Sequence, residues 1–315
     1  MFEGEVSLTG GRTLQNIDLH EILAESKLCT KLYPEFAGVH DLVSGLFTAR
    51  NSFMEKYPDF SLPQKMDLTK EEVKQSFLAG LPLITDVAFD VKALKELSAV
   101  LSLEIIKKEP TLKVALSQFQ SYLEETLPAE EGTVSLKDIQ EILQESAEKT
   151  PLKRDLTTFL FSILLPPLFA KSYDLPSLDT LDASLWGKGD CPVCGEKPHY
   201  GLLQEDGGKR VLECWLCSFR WEYPRLMCPY CQNADQDKLG LFTVDSSEKY
   251  RIHFCRKCTN YIKVYDMRAS EKGDAFLPVH NLATLSCDVL ALKEGFTPGS
   301  GLQWVNEEEL NYSGN

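Results

Sequence analysis

CPVCGEKPHYGLLQEDGGKRVLECWLC, from Cys191 to Cys217, and CPYCQNADQDKLGLFTVDSSEKYRIHFCRKC, from Cys228 to Cys258, decide how the second half of this chain is read. Each stretch opens and closes on a Cys-x-x-Cys pair. Cys191 and Cys194 lead to Cys214 and Cys217, and Cys228 and Cys231 lead to Cys255 and Cys258. A Cys-x-x-Cys turn aims two thiolates at one side of a tetrahedral ion, and a second turn completes four-coordination with sulfur about 2.3 Å from zinc. The gaps of 19 residues (Cys194 to Cys214) and 23 residues (Cys231 to Cys255) are close to zinc-ribbon spacing and long enough for a β-hairpin. Crossed pairing, with Cys214 and Cys217 joining Cys228 and Cys231, is the alternative. The ten residues between Cys217 and Cys228 hold no glycine, which favours the hairpin arrangement.

The sequence between the pairs supports hairpins. His199–Leu203 predicts a strand, Asp206-Gly207-Gly208 a tight turn, and Lys209–Cys214 a returning strand. Lys238–Val244, Asp245–Glu248 and Tyr250–Cys255 repeat the pattern. Modules this small bury little apolar area, so bound metal supplies much of their folding energy, and two purely structural ions are one reading. Tetrahedral sulfur accepts zinc or iron alike. Trp215, Phe219, Trp221, Tyr223, Tyr230, Phe254 and Tyr261 crowd the cysteines, as a shielded iron centre or a small aromatic core would both require. A third reading makes some pairs redox dithiols, with Arg256-Lys257 inside one pair lowering a thiol pKa. Cys29 and Cys287 stand alone in apolar-periodic stretches and are expected to be small buried hydrophobes. His199 and His253 flank the cysteines as candidate supporting groups.

Outside this region the chain changes character. Apolar residues recur at helical spacing over 18–32, 35–57, 70–78, 90–108, 111–127, 136–149 and 156–175. Ser135 followed by Asp138 predicts a capped start for the sixth helix, and Pro166-Pro167 predicts a break in the last. A further helix is expected over 282–293. The fold class is therefore multidomain, α plus small β. An all-α domain over 1–182 precedes metal modules over 183–226 and 227–270, and a C-terminal helix and tail occupy 271–315.

Eight of the ten cysteines lie between 191 and 258. With no basic, apolar leader at Met1–Glu5, they are expected to sit reduced in the cytoplasm. The apolar run Phe159–Ala170 is too short to span a membrane. Net charge is −14, which weighs against broad nucleic-acid binding. The acidity lies in the front half and tail, whereas 186–268 holds 13 basic and 11 acidic residues. No phosphate loop, nucleotide fingerprint or nucleophile–base arrangement is present, so no catalytic or organic-cofactor residues are nominated.

Several segments resemble one family. They are Trp186 with Cys191-Pro-Val-Cys194-Gly195-Glu196-Lys197-Pro198, then Leu212-Glu213-Cys214-Trp215-Leu216-Cys217, then Trp221 and Arg225 before Cys228-Pro-Tyr-Cys231. Cys255-Arg-Lys-Cys258 with Tyr261-Ile262-Lys263, Asn281–Leu285 with Asp288, Glu294-Gly295-Phe296, and the earlier Leu81-Pro82-Leu83-Ile84 complete the set. Together they resemble the FdhE-type formate dehydrogenase accessory proteins. The resemblance implies a helical domain followed by two rubredoxin-like modules, with iron as the metal. It also implies a non-catalytic cytoplasmic chaperone whose partner is the catalytic subunit of a molybdenum- or tungsten-containing formate dehydrogenase. All eight paired cysteines fall on the family's positions. Cys287 departs from it, in a slot that is usually apolar. A tandem zinc-ribbon nucleic-acid binder, using Arg220, Arg225, Arg251, Arg256, Lys257 and Lys263, and a rubredoxin-like electron carrier are the other two expectations.

Overall fold

The protein is described by a computed structural model covering residues 19–32, 34, 37–57, 64–65, 69–128, 132–174, 186–205, 207–243, 249–269, 280–281 and 284–300. Expectations for residues 14–18, 35–36, 206, 244–248, 282–283, the junction 181–184 and the tail 301–315 lie outside these. So does the side chain of Cys29. The described chain groups into two compact units. One draws on 19–65 and 86–174, the other on 69–85 and 186–300.

The first unit is helical, with α1 (Leu19–Leu32), α2 (Ala37–Lys56), α4 (Val91–Lys108), α5 (Lys113–Thr126), α6 (Leu136–Lys149) and α7 (Arg154–Ser172). α4 lies at its centre, against α2, α5 and α7. Leu94, Leu97 and Leu101 recur at helical spacing and are fully buried, so one stripe carries the packing. Ser98 and Ser102 on the same helix are also buried, and both accept from Gln120 Nε2 at 2.8 Å, so neither hydroxyl is stranded. Short strands feed two of the helices. β2 (Ala88–Asp90) pairs antiparallel with β3 (Thr133–Ser135). Asp90 then caps α4 through Ala93 N at 2.8 Å, and Ser135 with Asp138 forms a reciprocal capping box on α6. Such caps contribute about 1 kcal/mol each. β1 (Gln64–Lys65) pairs parallel with β4 (Tyr173–Asp174).

α7 corrects the expected break: it runs unbroken through Pro166 and Pro167. Each proline removes one helix hydrogen bond and crowds the preceding turn, at roughly 3 kcal/mol. Leu160, Phe161, Ile163, Leu164, Leu165, Leu168 and Phe169 are all buried along it. Burial of each large apolar side chain stabilises by about 1.5–3 kcal/mol, so the sum over both flanks exceeds the penalty.

The second unit carries the cysteines on one seven-stranded sheet. β5 (Pro198–Leu203), β6 (Arg210–Cys214) and β7 (Arg220–Glu222) form one meander, and β8 (Leu239–Thr243), β9 (Tyr250–Cys255) and β10 (Asn260–Asp266) form the other. They join side by side, because β5 pairs parallel with β10 over Tyr200–Leu203 and Lys263–Asp266. β11 (Thr297–Pro298) adds to β10, and α8 (Leu285–Lys293) follows the sheet. α3 (Lys70–Leu78) also belongs here. Along the chain it lies within 1–182, yet in space it groups with the cysteine-bearing unit. The Phe77 ring lies 5.4 Å from Trp186. No described helix is long and apolar enough to cross a membrane.

Candidate metal centres

The sheet brings the first cysteine pair to the second and the third to the fourth. Sγ atoms stand 3.4 Å apart for Cys191 and Cys217, and 3.5 Å for Cys194 and Cys214. In the other cluster Cys228 to Cys258 and Cys231 to Cys255 both measure 3.7 Å. All four sulfurs of each group lie within 4.8 Å of one another. Bonds of about 2.3 Å in a tetrahedron place ligand sulfurs about 3.8 Å apart, so each cluster has the spacing four thiolates need around one ion. The crossed arrangement does not occur.

Local backbone geometry explains the convergence. The residue after the second cysteine of every pair is left-handed: Gly195 at φ 77°, Ser218 at 56°, Gln232 at 57° and Thr259 at 58°. Among the described residues, the last three are the only non-glycine positions with positive φ. The reversal lets Gly195 N, Ser218 N and Gln232 N donate back to the carbonyls of Cys191, Cys214 and Cys228 at 2.9, 3.1 and 3.0 Å. It also leaves Val193 N and Leu216 N donating to the sulfurs of Cys191 and Cys214, both at 3.4 Å. A left-handed L-residue costs roughly 1–2 kcal/mol, and glycine gives back about 0.5–1 in entropy. Thr259→Gly is therefore expected to raise the thermal midpoint slightly. Gly195→Val is expected to lower it, since a Cβ there would also stand 3.3 Å from Pro82 Cγ. Thermal unfolding of the two variants checks both signs.

The clusters differ in exposure. The first is wholly buried, whereas Cys231 and Cys258 of the second are partly exposed. Burial pushes the Cys194 and Cys217 thiols well above their ordinary value. At Cys191 burial also opposes the thiolate, but hydrogen bonds from Cys194, Cys214 and Cys217 outweigh it and hold that group well below. In the second cluster burial raises Cys228 to about 11. At Cys255 burial acts the same way but is outweighed by the backbone N–H groups of Cys258 and Lys257. One favoured negative charge among crowded thiols suits a cation that neutralises the rest. Trp215, Phe219, Trp221, Tyr223 and Tyr261 are buried around the pairs.

Two supports escaped the sequence reading. Leu83 N and Ile84 N donate to the carbonyls of Pro192 and Val193 at 3.0 and 2.8 Å, so the Leu81–Ile84 segment clasps the first knuckle. Gly189 passes so close to the third knuckle that a Cβ there would meet the Pro229 carbonyl oxygen at 1.8 Å. Only a missing side chain permits that approach.

The basic residues of the sheet are largely committed. Glu213 is buried between Arg220 at 2.7 Å and His199 at 3.2 Å. Burial would raise its pKa, but both neighbours outweigh that and leave it lowered. Asp266 takes Arg251 and Arg268, each at 2.7 Å. Burial again opposes its charge, and the bonds from Arg268 with the field of Arg251 prevail, so it too is lowered. A depressed carboxyl contributes stability that is full above its unfolded value of about 4 and is lost as pH falls through the folded value. Asp266→Asn is accordingly expected to flatten the acid limb of the stability curve, read as unfolding midpoints between roughly pH 3 and 6. Cys287 is buried on α8, as expected of a small hydrophobe.

A helical unit, with a second unit whose single sheet carries two four-cysteine clusters, defines a class of double-knuckle metal-binding protein. Comparison with known proteins gives the class a family. The description "FdhE, central domain" matches residues 190–225. A "Protein FdhE homolog" from Aquifex aeolicus is 31% identical over 207 residues, covering 60% of this chain and 72% of its own. Another from Stutzerimonas stutzeri is 31% identical over 110 residues, 34% of this chain and 35% of its own. The crystal structure of the FdhE protein from Pseudomonas aeruginosa superposes with a TM-score of 0.58 over 93% of this chain and 98% of that one, at 18% identity, a likeness of fold. The chain belongs to the FdhE family.

Proposed function

We propose that this protein is a non-catalytic accessory factor that binds the catalytic subunit of a formate dehydrogenase during its assembly in the cytoplasm. In this reading Cys191, Cys194, Cys214 and Cys217 hold one metal ion, and Cys228, Cys231, Cys255 and Cys258 hold a second. The reading is carried by membership of the FdhE family together with two complete four-sulfur clusters on one sheet. Protein rather than nucleic acid is the partner that fits. Of the six basic residues available to a ribbon-type nucleic-acid binder, Arg220, Arg251 and Lys263 already hold buried carboxylates, and paired cations release few counterions from a phosphate backbone. The test is co-purification of the tagged chain from a host expressing a formate dehydrogenase. Recovery of the catalytic subunit is expected. Its consistent absence, with formate dehydrogenase activity unchanged when the gene is deleted, would count against the reading.

Iron in rubredoxin-like coordination is the metal this proposal favours, with zinc the alternative. The family resemblance supports iron, and the backbone N–H bonds onto Cys191 and Cys214 would then tune the centre's potential. Anaerobically purified protein is then red and bleaches reversibly on reduction. A colourless protein with two zinc ions per chain would reject iron.

A further inference from the structure

Beside the second cluster, on the face of the sheet that carries His253, lies a cavity of about 320 Å³. The sheet register builds its floor. His253 on β9 stands opposite Leu241 on β8 and Ile262 on β10, so the three side chains form one row. Arg210 reaches in from β6 and Arg225 from the turn before Cys228. Most of the wall is apolar.

The cationic groups here lack what their counterparts elsewhere on the sheet possess. Arg220, Arg251, Arg268 and Lys263 each hold a carboxylate. Arg210 is buried, at 3% exposed, but among the described residues its Nη2 donates only to the carbonyls of Pro224 and Met227. Its Nε and the neighbouring His253 Nε2 are both buried without a hydrogen-bond partner. Arg225 is exposed and pairs with no carboxylate among the described residues. A buried guanidinium with an unpartnered Nε–H is costly to leave unanswered, and burial lowers the Arg210 pKa to about 10. In a chain of net charge −14, this is a local deficit of negative charge beside an apolar hollow.

The anion that fits is a carboxylate. Its two oxygens can each accept from one guanidinium N–H, and a single charge enters a mostly apolar hollow at a smaller desolvation cost than a dianionic phosphate. The occupant also extends past the cavity. Leu226 and Leu241 at its rim are 61% and 57% exposed, two of the few large apolar side chains left in solvent on this unit. We infer that this cavity is a docking site for an acidic–aliphatic peptide segment of a partner protein, its carboxylate held by Arg210 and Arg225 and its aliphatic neighbours lying on Leu226 and Leu241. The site stands whether or not the partner is a formate dehydrogenase, and it asks nothing of the metal's identity.

The test uses the full, metal-loaded chain and an end-capped, fluorescein-labelled peptide, Gly-Leu-Glu-Leu-Glu-Leu-Gly, followed by fluorescence anisotropy against its glutamine analogue. Saturable binding of the glutamate peptide is expected, weakened at least about tenfold in the analogue, because hydrogen bonds to charged groups carry that much discrimination. Arg225→Ala, at an exposed position that leaves the core intact, is expected to weaken binding about tenfold. Arg210→Lys, which keeps the charge and removes the Nε–H edge, is expected to weaken it as well. Equal binding of both peptides, an unaltered affinity in Arg225→Ala, or no saturable binding would overturn the site as a cavity holding water only. Displacement of the peptide by hexanoate at matching affinity would overturn the peptide as occupant, in favour of a small carboxylate.

Discussion

Cys191→Ser is expected to drop the bound metal from two ions per chain to one and to unfold much of the sheet around the first cluster. Cys191 is fully buried, and its carbonyl and sulfur both accept backbone hydrogen bonds inside its own knuckle. Removing the sulfur thus takes away a ligand and a turn anchor together. Structural zinc in zinc-finger peptides binds with an apparent free energy of about 10–16 kcal/mol, against total domain stabilities of about 5–15, so losing one ion is comparable to the stability of the whole unit. Cys258→Ser should release the second ion with a smaller loss of structure, because Cys258 sits partly exposed at the cluster's edge. Elemental analysis with near-ultraviolet circular dichroism separates the two outcomes. Two ions retained in Cys191→Ser would exclude that sulfur as a ligand.

The second large effect is expected at the seam between β10 and α8. Lys263 Nζ is buried and donates to Asp288 Oδ2 at 2.7 Å and to the Asn281 carbonyl at 2.6 Å. Tyr261 donates to Asp288 Oδ1 at 2.6 Å. Breaking a buried pair by removing one partner costs about 3–5 kcal/mol. Lys263→Met should therefore lower the unfolding midpoint sharply at neutral pH, while the double variant Lys263→Met/Asp288→Leu should recover much of the loss. The pH dependence has a defined sign. Burial raises the Asp288 pKa even against Lys263 and Tyr261. A raised carboxyl is most stabilising below its unfolded value of about 4, and that contribution is lost as pH rises through the folded value. The Lys263→Met deficit should shrink toward acid, where the stranded carboxyl is neutral. A deficit that grows toward acid would contradict the assignment.

What sequence makes legible here is what short range controls. α3 and α6 begin where Thr69 with Glu72 and Ser135 with Asp138 cap them, and those partners lie three residues apart. The hairpins β5–β6 and β8–β9 follow from alternation and from the knuckles they lead into. The misses have several causes. The break expected at Pro166-Pro167 assumed that a local penalty decides, whereas the buried flanks of α7 decide it. β7 is three residues long and too short to show a period. β10 is buried on both faces and carries Lys263 and Asp266 inside, so no polar–apolar alternation marks it. The last helix is described over Leu285–Lys293, within the expected 282–293, and has no side-chain cap. At the clusters the cysteines were visible as pairs. The left-handed residues behind them were not, since Ser218, Gln232 and Thr259 have none of glycine's compositional signal. Gly189 was present as a letter, but the carbonyl it makes room for lies 40 positions away at Pro229.

The parallel seam of β5 with β10 makes the two cysteine modules one heritable block rather than two interchangeable cassettes. A shortened chain ending before Met227 would keep four sulfurs, but it would bare the Tyr200–Leu203 backbone as an open ladder, which invites pairing between molecules. Insertions that leave the seam covered fall in the turns, away from Tyr200–Leu203 and Lys263–Asp266.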